Sequence, residues 1–232
     1  MKTVFCAMIG VFKKIRGALC AGLLGGAPFI LNGGNLADVI GKCDSELAKS
    51  GELIIGASVC PLFAEERYGF ISSMESDLSG AFPKADVRTA FEKAGVADVL
   101  NGMFEKNPSL GLIAFYVHSG GGDAKIRILD MENMEPLCDI RLAGISEGAG
   151  FPPDAPASIV RALNFISEVS GHLDFRDLSG YANLSNKLPW SVAARGKCVS
   201  FLFSPPSGFD GGGLKLVLDA DTGRIFKMEQ TR

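Results

Sequence analysis

The chain has 232 residues, of which 47% are hydrophobic and 21% are charged, so it can bury a core in one large domain or two small ones, and wholesale disorder is excluded. The net charge is −3, and the residues after position 37 hold 26 acidic but only 19 basic side chains. Nucleic-acid binding depends largely on clustered Lys and Arg, so this acidic body predicts no nucleic-acid partner.

Residues 1–37 have the composition of a targeting segment. They contain no acidic residue, and their only charged side chains are Lys2, Lys13, Lys14 and Arg16. The uncharged stretch from Ala18 to Leu31 has the length of a signal-peptide core and is short for a bilayer-spanning helix. We therefore predict an exported protein of the periplasm, cell envelope or secreted space, with organelle import as the alternative. Membrane contact is expected only through this segment, if it stays uncleaved.

Six cysteines are present: Cys6 and Cys20 in the targeting segment, and Cys43, Cys60, Cys138 and Cys198 in the body. Their wide spacing excludes the CxxC pattern of redox motifs and zinc ribbons. The body cysteines are then either disulfides or buried thiols, and export slightly favours disulfides.

The first half of the body alternates helical and strand patterns. Apolar spacings of three and four predict a helix that Asn35 caps and Gly51 ends. The apolar run 53–60 is typical of a strand buried on both faces. Helical spacing returns over 65–82 and again over 87–94, whereas 97–104 fits a short helix or a strand.

A repeat marks the second half of each predicted unit. Glycine triplets at 120–122 and 211–213 are each followed by strand, tight turn and strand, and the copies align without a gap when Asp130 is laid on Asp219. In each copy the aspartate opens the turn, and Gly223 supplies the positive φ that such turns often need.

Each copy also has a predicted strand and a predicted helix before it. The strands are 110–117 and 198–203, and the helical patterns are 86–104 and 157–173. We predict an α+β fold with antiparallel sheets and packed helices, arranged as two related helix-plus-three-strand meander units or as one fused sheet. Chance is a rival explanation for the repeat, because such hairpins are common.

The Gly/Pro-rich segment 144–155 is the best candidate for a linker. It divides the body into predicted α+β units at 38–143 and 156–232. The polar stretch 173–190 in the second unit predicts a surface loop.

One motif suggests catalysis. Gly144-Ile145-Ser146-Glu147-Gly148 matches the G-x-S-x-G nucleophile elbow, in which a sharp turn from strand to helix exposes the serine hydroxyl to a histidine base. His118-Ser119-Gly120-Gly121-Gly122 resembles the HGGG oxyanion loop of esterases. However, Pro152 and Pro153 interrupt any helix after Ser146, and His172 is the only histidine downstream. We therefore interpret the segment as a connector, with a serine hydrolase using Ser146 as the alternative.

Other candidate sites have simpler explanations. His118 and His172 lie far apart and lack neighbours at metal-ligand spacing. The run from Asp219 to Gly223 begins like a calcium loop, but its glycine comes one place early and the closing glutamate is missing. The glycine triplets lack the Lys-Ser/Thr of a phosphate loop. We predict no catalytic, cofactor-binding or metal-binding residue.

The body also shows a loose resemblance to a class of envelope proteins. Ala97 to Gly102, followed by the hairpins Ile128 to Leu137 and Val217 to Phe226, is similar to segments of the CsgG/LpoB/TolB-N-like class. The resemblance covers about a quarter of the chain and implies an assembly or accessory role. We predict a non-enzymatic exported protein that acts through a protein partner or self-association, because exposed strand edges and hairpins suit such pairing.

Overall fold

The fold is that of a computed structural model, which describes residues 35–60, 67–120, 122–146, 154–169, 190–203 and 213–231. The helices in these ranges are α1 (Leu36–Leu47), α2 (Arg67–Ala81), α3 (Val87–Ala94), α4 (Val96–Lys106) and α5 (Ala155–Val169), with a 3-10 turn at Ala48–Ser50. The strands are β1 (Glu52–Cys60), β2 (Leu112–Ser119), β3 (Lys125–Asp130), β4 (Pro136–Arg141), β5 (Trp190–Arg195), β6 (Cys198–Phe203), β7 (Gly213–Asp219) and β8 (Ile225–Thr231).

These strands form a single sheet in the order β4-β3-β2-β1-β5-β6-β7-β8. Every neighbouring pair is antiparallel. The predicted α+β fold with an antiparallel sheet is confirmed, in the form of one fused sheet.

The pairing of β1 with β5 joins two four-stranded meanders and gives the sheet an internal two-fold relation. Ala57 lies opposite Val192 at its centre, and the flanking pairs match on the two sides, with Gly56 opposite Ala193 and Ser58 opposite Ser191. From this central pair, the order of strands continues across the sheet to β4 on one side and to β8 on the other. Each meander therefore has one innermost strand and one strand at the edge of the sheet.

The repeating unit differs from the predicted one in its helix and its strand number. Helix α1 precedes β1, α5 precedes β5, and these two helices pack against each other. The stretch 86–104, expected to be the counterpart of α5, instead forms α3 and α4, which lie between β1 and β2 in the chain. Each unit is thus one helix plus four strands, and the buried run 53–60 supplies the innermost strand of the first unit.

The two hairpin turns have the same backbone geometry. The amide of the opening aspartate donates to the carbonyl five residues later, from Asp130 to Glu135 at 3.0 Å and from Asp219 to Arg224 at 2.8 Å. The two copies, which align without a gap in the sequence, therefore form turns of the same geometry.

Both turns need a residue with positive φ at the same position. Met134 has φ 59° and Gly223 has φ 71°. A Cβ atom at Gly223 would overlap the ring of Phe165, so the second copy needs glycine for space as well as for backbone conformation.

Two hydrophobic cores lie on the two faces of the sheet. The first core packs α1 and α5 against the sheet, and the second packs α2, α3 and α4 against the other face. The largest fully buried side chains in the first core include Trp190, Phe115 and Phe201, and those in the second include Phe70, Phe82 and Phe104.

The body cysteines are free thiols, so the slight preference for disulfides was wrong. The four residues are Cys43, Cys60, Cys138 and Cys198. Cys43 packs against the first core, whereas Cys60 and Cys138 belong to the second. The sheet therefore lies between Cys43 and the other two. Burial raises the pKa of the Cys43 thiol to about 11, which favours the inert thiol form. Cys6 and Cys20 lie outside the described residues.

The start of α1 sets a limit on the length of a removable leader. The Asn35 side chain accepts a hydrogen bond from the Ala37 amide at 2.9 Å, and Leu36 is fully buried. A cleavage that leaves this helix and its cap intact must therefore fall before Asn35. Within the described ranges, no helix is both long and apolar enough to cross a membrane.

Gly56 provides a test of how tightly the centre of the sheet is packed. A Cβ atom there would lie 2.6 Å from Cδ2 of Tyr116 and 2.7 Å from the carbonyl oxygen of Val192. We expect Gly56→Ala to lower the free energy of unfolding by about 1–3 kcal/mol, because neither the buried ring nor the backbone can move away freely. Urea denaturation measures this change.

Gly41→Ala is the matched control. Gly41 is exposed within α1 and has open space where a Cβ would be placed. Alanine there should raise stability by up to about 1 kcal/mol through helix propensity alone. A Gly56→Ala protein as stable as the wild type would contradict the packing described.

Candidate functional site

Ser146 lies in an exposed connector that differs from a nucleophile elbow. Ser146 follows β4, an edge strand of an antiparallel sheet. A nucleophile elbow instead forms the sharp turn between a strand and the next helix of an α/β-hydrolase. Its neighbour Ile145 is buried and accepts a hydrogen bond from the Ala124 amide at 2.7 Å. Glu147 and Gly148, which complete the motif, lie outside the described residues.

Of the two histidines, only His118 lies within the described residues. His118 is half-buried on β2 and packs edge-to-face with Phe82, with ring centroids 5.7 Å apart. Desolvation lowers the pKa of its imidazole. His172 lies outside the described residues. Across the described ranges, no group of three or more His, Cys, Asp or Glu residues could hold a metal ion.

A buried polar cluster that the sequence analysis missed lies beneath α2. Tyr116 on β2 donates a hydrogen bond to Oδ2 of Asp77 on α2 at 3.4 Å, and its hydroxyl also bonds that of Ser58 on β1. The guanidinium of Arg195 on β5 comes within 3.9 Å of Oδ1 of Asp77. The cluster therefore links one helix to the three central strands.

Two glycines make room for this cluster. Gly56 lies against the Tyr116 ring, and any Cβ at Gly80 would overlap the Arg195 guanidinium. A sequence signal was available, because Asp77 falls on the same helical face as the buried Phe70 and Met74. An acidic residue on an apolar helical face is rarely buried without partners.

Burial dominates the electrostatics of Asp77. Desolvation raises the pKa of its carboxyl to about 6, while the hydrogen bond from Tyr116 and the charge of Arg195 act in the opposite direction. The pKa of the Tyr116 phenol is raised well above its usual value, first by burial and then by the negative charge of Asp77. The carboxyl between α2 and the sheet therefore changes charge closer to neutral pH than an ordinary aspartate does.

The sheet edge formed by β3 and β4 is charged. Lys125 and Arg127 on β3 both pair with Asp139 on β4, at 3.3 Å and 2.8 Å. Lys125 also contacts Glu52 at 2.6 Å. These ion pairs tie the edge strand β4 to β3 through Asp139.

On the face of the first core, the equivalent positions of β7 and β8 are apolar, whereas Lys227 and Glu229 lie on the other face. When the two turns are superposed in register, the places of Lys125, Arg127 and Asp139 are taken by Leu214, Leu216 and Met228. Met228 lies opposite Leu216 and is 37% exposed. The two halves of the sheet therefore have the same backbone but differ in the side chains that their edges present on the first-core face.

Both edge strands carry a bulge with a large exposed hydrophobic residue. The register shifts at Leu137 in β4 and at Phe226 in β8, so neither residue has a partner on the neighbouring strand. Leu137 is 42% exposed and Phe226 is 54% exposed. Only the β8 edge adds a second exposed apolar side chain, Met228, to the bulge residue.

Comparison with known proteins adds little to this geometry. A solved structure with some likeness is that of a putative lipoprotein from Clostridium difficile 630, with 8% sequence identity, a TM-score of 0.37 and coverage of 84% of this chain and 92% of that chain. A likeness of this degree supports no conclusion about the present chain. No family model and no curated protein matches the sequence. The resemblance to the CsgG/LpoB/TolB-N-like class stays a prediction.

The raised pKa of Asp77 predicts how stability changes with pH. Its folded pKa of about 6 exceeds the ordinary value of 3.8, so the folded state binds the proton more tightly than the unfolded state. The contribution of Asp77 therefore makes the protein less stable as pH rises from 4 to 7. Replacing Asp77 with Asn removes that titration. We expect the free energy of unfolding of Asp77→Asn, minus that of the wild type, to increase by about 2 kcal/mol as pH rises from 4 to 7.

Urea denaturation of both proteins at several pH values measures the difference. Other titrating groups change the free energy of unfolding of both proteins equally, so their contribution cancels in the difference between the two proteins. Stability curves that stay parallel from pH 4 to 7 would show that folding does not raise the pKa of Asp77.

Proposed function

We propose that this chain is an exported, non-enzymatic protein of the cell envelope or secreted space that acts through protein-protein contacts in an assembly or accessory role. The observation that carries the proposal is the pair of exposed apolar side chains on β8, Phe226 and Met228. Met228 stands where the related edge has Asp139, which pairs with Arg127. A protein contact is the usual reason for a cluster of exposed apolar side chains on a folded surface.

The backbone of β8 also suits a protein partner. An edge strand presents unpaired N–H and C=O groups to which a strand of another chain can bond. β4 is poorly suited because Pro136 lacks an N–H donor and Asp139 is held by Arg127. The sequence of β8, from Ile225 to Thr231, contains no proline. The two edges therefore differ in their capacity to pair.

Export is supported by the N-terminal composition. The only charges before Asp38 are basic, and an apolar stretch follows them, as in a signal peptide. The hydrolase alternative gains no support from the described part of the Ser146 motif, because the serine follows an antiparallel edge strand.

A photo-crosslinking experiment tests the proposed contact surface. We expect a benzophenone amino acid at position 226 to form adducts with a protein of defined mass in the cells that produce this chain. The same group at position 137 is the matched control, because Leu137 occupies the equivalent bulge on the charged edge. Adducts absent at 226, or equally strong at 137, would contradict a contact specific to β8.

The proposed export has a separate test. Mass spectrometry of the protein from its natural cells should identify a mature N-terminus at or before Asn35, since the cap of α1 must survive. A cytoplasmic protein that retains Met1 would contradict export, whatever the crosslinking shows.

A further inference from the structure

We propose that the partner at this edge is a second copy of the same chain, with β8 paired antiparallel to β8 of that copy and Met228 opposite Met228. The inference rests on the proposed function and names its partner. Such a contact is isologous, because the same surface is used on both copies. Its basis is the pattern of side chains along β8.

Side chains alternate between the two faces of β8. Met228 lies on the face of the first core, opposite the buried Leu216. Lys227 and Glu229 lie on the other face, where Nζ of Lys227 and Oε1 of Glu229 are 2.6 Å apart. All three side chains are exposed. The strand thus carries one basic and one acidic residue in symmetric positions about Met228.

This symmetry limits the possible registers, and charge distinguishes those centred on residues 227 to 229. Antiparallel strands related by a two-fold axis must have one residue opposite itself, because the hydrogen-bonded and non-bonded pairs alternate along the ladder. With Met228 at the centre, each Lys227 faces Glu229 of the second copy. With Lys227 or Glu229 at the centre, two like charges face each other, which is destabilising. Charge complementarity therefore favours the register centred on Met228.

The other edge cannot pair in the same way. In β4 the residue equivalent to Met228 is Asp139, so the corresponding register would place two carboxylates opposite each other. Pro136 also removes a backbone donor from this strand. Pairing through β8 therefore gives a closed dimer whose remaining edges are both β4, and further strand addition is disfavoured at each end.

Charge reversal at the two flanking positions tests both the partner and the register. In the proposed dimer, Lys227→Glu places acids opposite acids, and Glu229→Lys places bases opposite bases. Each variant should dimerise about tenfold more weakly than wild type, or worse, because two symmetry-related pairs change sign. Both residues are exposed, so the variants should fold as the wild type does.

Mixing the two variants supplies the decisive control. A Lys227→Glu chain and a Glu229→Lys chain place opposite charges at both contacts, so the mixture should form heterodimers at about wild-type affinity. The double variant Lys227→Glu/Glu229→Lys should also recover homodimers. Sedimentation velocity over a concentration series measures all of these species, and circular dichroism checks that each variant is folded.

Two results would overturn the inference. One is a wild-type chain that sediments as a monomer up to its solubility limit. The other is a dimer whose affinity is unchanged in both single variants, which would place the contact elsewhere or in another register. If the chain is monomeric but position 226 crosslinks to a different protein, the proposed function stands and self-pairing fails. If position 226 forms no adduct at all, the proposed function itself fails.

Discussion

The pairing of β1 with β5 is the contact on which the rest of the structure depends. It is short, extending from Gly56 to Val59 on β1 and from Trp190 to Ala193 on β5. Without it, each meander would expose its innermost strand as an apolar edge, because β1 and β5 are buried along most of their length. Helices bridge the short pairing on both faces, since α5 packs on β1 and β5 from one side and α2 packs on the same strands from the other.

Features that both halves of the sheet share are requirements of the fold, and features found in one half are candidates for a functional role. The turns opened by Asp130 and Asp219 are alike, and so are the bulges of the edge strands, which identifies them as requirements of the meander. The helices α2, α3 and α4 occur only between β1 and β2, and β5 leads directly into β6. The edge chemistry also differs between the halves, and a difference on a shared backbone is where a specific contact surface is expected.

Local features of the fold could be predicted from the sequence, and long-range ones could not. The cap at Asn35, the helix 87–94 and the buried strand 53–60 follow from residue type and spacing within a few positions. The pairing of β1 with β5 joins residues more than 130 positions apart, and no local pattern encodes it. The helix matched to α5 was misassigned for the same reason, because adjacency along the chain does not determine which face of the sheet a helix covers.

The proposed contact surface was partly visible in the sequence. The expectation of pairing through an exposed edge followed from the hairpins alone, but choosing between β4 and β8 required knowing which strands end the sheet. The buried Asp77 was overlooked because its helix was interpreted from its apolar residues. Its partner Tyr116 lies on a strand whose uniform burial hid the polar contact. Side chains that meet across different elements become recognisable only once the elements are placed.

Native-state amide hydrogen exchange tests the central claim most directly. If the β1–β5 pairing unites both meanders into one cooperative sheet, the hydrogen-bonded amides of Gly56–Val59 and Trp190–Ala193 should exchange only through global unfolding, with the same opening free energy. Exchange of β5 to β8 at a distinctly lower free energy than β1 to β4, or the reverse, would show two independent halves and would contradict the account.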